Sequence, residues 1–84
     1  MVEFLKDIHG DDFTYEKGKR YIALDDCKEE GLNDKVFVRQ PNSPKKKNLW
    51  TEFSKTAIND TFRILDDSEL SILERMEEDR LLQL

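Results

Sequence analysis

The sequence predicts a mainly β domain followed by a C-terminal amphipathic α-helix. Three observations carry this expectation. Before residue 66, apolar side chains recur in short alternating runs, each ended by glycine, proline or aspartate. From residue 66 onward there is no glycine or proline, and the helix-favouring residues Leu, Glu, Arg and Met dominate. Charge divides at the same place. Residues 1–65 hold 12 basic and 12 acidic side chains, whereas residues 66–84 hold seven acids against two arginines, which accounts for the whole net charge of −5.

These shifts divide one domain of 84 residues into a β body, 1–65, and an acidic helix, 66–84, that packs on the body or on a partner. A chain this short buries only about 60–65% of the surface it exposes when unfolded, which allows one thin core and no deep cleft. Charged residues make up 39% of the chain, yet aromatic residues reach 10%, more than a disordered chain of this charge would carry.

The elements follow in order. Val2, Phe4 and Lys6 alternate with Glu3, Leu5 and Asp7 as a first strand. HGDDF at 9–13 reads as a loop, and residues 15–19 as a turn in which Gly18 can take a positive φ. RYIAL at 20–24 is a second strand. DDCKEEGLND at 25–34 is a loop or one helical turn ending at Gly31. Val36, Phe37 and Val38 form a third strand, which Pro41 stops because proline cannot donate to a ladder. Pro44 keeps the connection open to Leu49. LWTEFSK at 49–55 is a fourth strand, with Leu49, Thr51 and Phe53 on one face and Trp50 and Glu52 on the other. TAIND at 56–60 suits one tight helical turn around Ile58, and TFRIL at 61–65 is the fifth strand.

In the tail, Asp66 and Glu69 have capping-box spacing, with Asp67 or Ser68 as alternative caps. Leu70, Leu73, Leu81 and Leu84 fall on one helical face, which Glu77 interrupts, with Ile72 and Met76 to its side.

Five short strands with a helical turn before the last is a layout carried here by VEFLKD, YEKGKRY, KVFVRQ, LWTEF and TAIND–TFRIL. Over residues 2–65 it resembles the small Src-homology-3-like (SH3-like) barrels of bacteria and phages. The resemblance implies a five-stranded, mostly antiparallel SH3-like barrel. Signalling members of that fold read proline-rich peptides in an aromatic groove; no residue here is matched to that groove, so the activity is not carried over.

The stretch RQPNSPKKKNLW at 39–50 holds four cations, no acid and the only tryptophan. Arg39, Lys45, Lys46 and Lys47 could hold phosphates while Trp50 stacks on a base. The plainer reading, which charge runs and a tryptophan in a small domain favour, is a solvated hairpin tip whose Trp50 packs on the body or the helix. His9 has no serine or cysteine beside it in a nucleophile motif, and Cys27 sits among acids that raise a thiol pKa. A lone cysteine excludes an intramolecular disulfide and a multi-cysteine zinc site. The acidic pairs lack the alternating ligands and central glycine of a calcium loop. No glycine-rich phosphate loop, HExxH, GxSxG or CxxC is present. The expectation is a non-enzyme without cofactor or metal.

The same acids have a second reading, in which carboxylates on a rigid surface replace phosphates in a partner's basic groove. The expectation is therefore a small cytoplasmic protein-interaction module, phage- or mobile-element-encoded, that modulates or inhibits a host protein. Its contacts are expected at Asp25, Asp26, Glu29 and Glu30, with the helix acids Glu74, Glu77 and Glu78. A nucleic-acid-binding barrel using Arg39, Lys45, Lys46, Lys47 and Trp50 is the alternative. Three leucines among the last four residues either fold back on the body or meet another chain, including a second copy. No apolar run approaches a membrane span, and the N-terminus does not read as a signal peptide.

Overall fold

In the computed structural model, residues 1–25 and 35–84 are described. They form eight short strands: β1 (Val2–Phe4), β2 (Ile8–His9), β3 (Thr14–Tyr15), β4 (Arg20–Tyr21), β5 (Ala23–Asp25), β6 (Lys35–Arg39), β7 (Trp50–Ser54) and β8 (Phe62–Ile64). One helix follows, α1 (Ile72–Leu82). The protein is thus mainly β with a C-terminal helix, as its patterning predicts.

Every pairing between these eight strands is antiparallel. β1 lies between β4 and β8, β5–β6–β7 form a meander, and β2 pairs with β3. β4 and β5 are one segment that changes partner at the buried Ile22: its first half pairs with β1, its second with β6. The Arg39 amide donates to the Ile22 carbonyl at 2.8 Å, so that carbonyl stays paired at the switch.

The stretch expected as a loop at 9–13 is instead the tip of a hairpin. Ile8 faces Tyr15 and His9 faces Thr14, and the Gly10 amide donates to the Phe13 carbonyl at 2.8 Å. The Phe13 ring lies over Gly10, where a Cβ would meet it and force the ring to shift. Gly18 takes φ 83°, as the turn reading expects, and its amide donates to the Phe4 carbonyl at 2.9 Å. The expected tight turn before the last strand is a 3-10 turn at Lys55–Ala57, capped by Ser54.

The core is aromatic. Phe4 stacks on Tyr15 with ring centroids 4.5 Å apart, and Phe13, Tyr21, Phe53 and Phe62 pack edge-on or tilted around the pair. Val2, Val36 and Val38 complete the buried cluster. Strand alternation places them: Val2 and Phe4 face inward while Glu3 faces out, and Val36 and Val38 face inward from β6. The Tyr15 hydroxyl donates to the Val38 carbonyl at 3.0 Å, so the buried phenol is satisfied. Burial pushes its pKa up to about 12.

The tail departs from its expected boundary. Residues 66–71 do not begin the α-helix. A 3-10 turn at Asp67–Glu69 comes first, and there the Asp66 amide donates to Glu69 Oε2 at 3.0 Å. α1 has its own box one turn later: the Glu74 amide donates to Ser71 Oγ at 3.1 Å and the Ser71 amide to Glu74 Oε1 at 3.0 Å.

Candidate functional site

The outer face of the β4–β1–β8 sheet explains how α1 is seated. Glu3 stands directly opposite Arg20 on one neighbour and Arg63 on the other. Arg20 Nε donates to Glu3 Oε1 at 3.1 Å, and Arg63 Nε lies 3.6 Å from Glu3 Oε2. Two guanidinium groups on one carboxylate leave an excess of positive charge, which the tail neutralises. Arg20 Nη1 donates to Glu74 Oε1 at 3.0 Å and to the Glu69 carbonyl at 3.0 Å, while Arg63 Nη1 donates to Glu69 Oε1 at 2.8 Å.

Farther along, Glu78 accepts from the Met1 ammonium at 2.9 Å. At the helix end, Asn48 Nδ2 donates to the Leu81 carbonyl at 2.7 Å, satisfying one of the carbonyls a helix terminus leaves open. The Ser71 amide and then Arg20 hold the Glu74 carboxyl below the ordinary carboxylate range. Arg63 and then the Asp66 amide do the same to Glu69.

The inward stripe of α1 is therefore Glu74, Glu78 and Leu81, at helical spacing. Leu81, 3% exposed, is its only buried residue. Burying that leucine contributes about 1.5–3 kcal/mol, and hydrogen bonds and ion pairs supply the other attachments. The outward stripe is apolar: Ile72 and Leu73 are each 77% exposed and Met76 is 62% exposed. The expected leucine face is corrected accordingly. Leu81 docks and Leu70 is half-buried, while Leu73 and Leu84 are exposed. A sheet face carrying arginines selects carboxylates from the helix, which turns the aliphatic side chains to solvent.

The expected contact acids separate. Glu74 and Glu78 are held in internal pairs, and Glu77 is exposed on the helix. Asp25 ends β5, its backbone opposite Val36. Asp26, Glu29 and Glu30, with Cys27, lie outside the described residues.

The basic stretch forms a fixed loop between β6 and β7. Arg39 Nε donates to Asn48 Oδ1 at 2.8 Å and its Nη2 to the Pro44 carbonyl at 3.0 Å. The Gln40 amide donates to the Leu49 carbonyl at 2.7 Å, and the Leu49 amide to Ser43 Oγ at 3.1 Å. Arg39 is occupied in holding this loop. Lys45, Lys46 and Lys47 are exposed and form no ion pair with a described residue. Trp50 joins none of the ring contacts of the core. It is half-buried and lines a surface cleft of about 350 Å³ with Leu24, Leu82 and Leu84, beside Lys46 and Lys47.

His9 is exposed, its Nδ1 3.1 Å from Thr14 Oγ1. Among the described residues no group of three or more His, Cys, Asp or Glu side chains is placed to hold a metal, and no helix is long and apolar enough to cross a membrane. Sequence reasoning did not find Arg20 as the anchor of the helix. The signal available was the spacing of Glu74, Glu78 and Leu81 against an outward-facing Arg20 and Arg63.

The fold and these two surfaces define a small antiparallel β domain that carries a polar-docked helix. No family model, curated protein or solved structure matches the chain.

Proposed function

We propose that this chain is a non-catalytic, cytoplasmic protein-interaction module that engages its partner through the outward face of α1. The observation that supports this reading is the seating of the helix, with glutamates turned inward and Ile72, Leu73 and Met76 turned to water. Single exposed apolar residues are ordinary, but three adjacent ones on one helical turn form a patch of the kind that meets a partner. Arg75 and Asp79 line the same surface as Ile72 and Met76, so the fitting partner is a protein cleft with an apolar floor and a margin of mixed charge. Three side chains offer far less than the roughly 800 Å² per partner of a standard stable interface. A second copy pairing through this stripe alone would therefore associate weakly, whereas a cleft that wraps the helix also reaches its acids.

The body is best described as an open barrel of SH3-like type. The support is the segment shared between β1 and β6, the β5–β6–β7 meander, and the 3-10 turn before a last strand that returns to β1. Carboxylate mimicry of nucleic acid has narrower support, because two of the three helix acids expected to serve it are held internally.

The test replaces Ile72, Leu73 and Met76 with serine in the full chain. The variant is expected to keep the circular dichroism and sedimentation coefficient of the parent while losing partners that the parent captures from a lysate. Unchanged capture would refute the reading. So would loss of folding, because it would make the stripe part of the core.

A further inference from the structure

The cleft beside Trp50 is independent of the α1 face and calls for its own occupant. We infer that it binds an acidic peptide segment that inserts one bulky apolar side chain between flanking carboxylates. The cleft has two parts of different chemistry. Its floor is Trp50, Leu24, Leu82 and Leu84, a surface that gains by covering an aliphatic or aromatic side chain. Its margin carries Lys46 and Lys47, which have no anionic partner among the described residues. They sit in a twelve-residue stretch, 39–50, that contains no acid, on a chain whose net charge is −5. Charge complementarity at this margin therefore favours an anionic ligand.

The site is also preformed. Arg39 clamps the loop at Asn48 and Pro44, Ser43 bonds Leu49, and Asn48 fixes the loop to the end of α1. Little ordering entropy then remains for binding to remove. The only tryptophan, which a thin core would be expected to absorb, stands at this surface, while six phenylalanine and tyrosine rings form the interior.

A nucleic-acid strand fits these observations less well. It needs a run of cations along its phosphates and an open ring face for a base. Here, among the described residues, Lys46 and Lys47 are the cations lining the cleft, the guanidinium of Arg39 is spent on the loop, and the other walls are Asn48 and three leucines.

Trp50 is the sole indole, so its fluorescence reports on the cleft directly. The full chain is titrated with acetyl-Glu-Asp-Phe-Asp-Glu-amide, with the uncharged acetyl-Gln-Asn-Phe-Asn-Gln-amide, with an acidic peptide bearing glycine at its centre, and with an oligothymidylate. The acidic phenylalanine peptide is expected to give a saturable emission shift. The two comparison peptides, and the K46A/K47A variant with the first peptide, bind about tenfold more weakly, in line with two exposed ion pairs or one apolar contact. K17A, a lysine on another surface, leaves the affinity unchanged. Equal binding of the uncharged peptide, equal binding by K46A/K47A, tighter binding of the oligothymidylate, or no saturable shift overturns the proposal. A shift produced by raising protein concentration alone also overturns it, in favour of a second copy in the cleft.

Discussion

Arg20 and Glu74 stand 54 residues apart in sequence, yet Arg20 Nη1 donates to Glu74 Oε1 at 3.0 Å. With its Nε on Glu3 and a further bond from Nη1 to the Glu69 carbonyl, Arg20 joins sheet, turn and helix at one guanidinium. The planar fork of arginine makes this possible; the point charge of a lysine would serve one partner at a time.

Arg20→Ala should therefore detach the helix without unfolding the body. The aromatic cluster does not include this side chain, and exposed pairs contribute little to global stability. Amide hydrogen exchange read by NMR is expected to accelerate severalfold across residues 72–82 and to stay constant in β1, β6 and β7, with Arg20→Lys recovering only part of the protection. Uniform acceleration in every strand would show that Arg20 belongs to the global fold instead.

Acid should release the same helix first. Glu69 and Glu74 have folded-state pKa values below their ordinary value of 4.5. A depressed carboxylate pKa contributes stability that is present above the unfolded value and is lost as pH falls through the folded one. The α1 signals are thus expected to lose protection as pH drops below about 4.5, before the core resonances of Phe4 and Phe62 broaden. Glu74→Gln should flatten part of that profile. A titration in which core and helix melt together at every pH would contradict this order.

At the alkaline end the sensitive group is Tyr15. Its phenol is raised from 10.0 to about 12 by burial, so between those values the folded state holds a proton that the unfolded state has lost. Stability is then present below pH 10 and falls as pH rises toward 12. Tyr15→Phe removes this dependence and also the phenol's bond to the Val38 carbonyl. The cost at neutral pH is about 0.5–1.5 kcal/mol, measurable by urea unfolding. A Tyr15→Phe protein that matches the parent at neutral pH and declines as steeply between pH 10 and 12 would show that the phenol carries neither role.

The body was readable because its signals are local. Alternation at Val36 and Val38, the stop at Pro41 and the turn at Gly18 each act over a few residues, and each appears where the pattern places it. The β2–β3 hairpin was hidden because two-residue strands carry no period, and its closure rests on the fit of the Phe13 ring over Gly10. The seating of α1 was hidden for another reason. A hydrophobic count favours burying Leu70, Leu73, Leu81 and Leu84; it holds for Leu81 and is overruled for Leu73 and Leu84, because Arg20 and Arg63 hold Glu74 and Glu69 of the tail only after the chain has folded. Trp50 and the lysines could be seen as neighbours in sequence, but the leucines that complete their cleft come from β5 and from the C-terminal end of the chain.

Two different kinds of glue hold this molecule, and dissolved ions act on them in opposite senses. Strongly hydrated anions such as sulfate drive aromatic rings together, while any concentrated electrolyte weakens the attraction between guanidinium and carboxylate. A bath rich in ammonium sulfate would consequently firm the six-ring interior and slacken the arm lashed to it by Arg20 and Arg63.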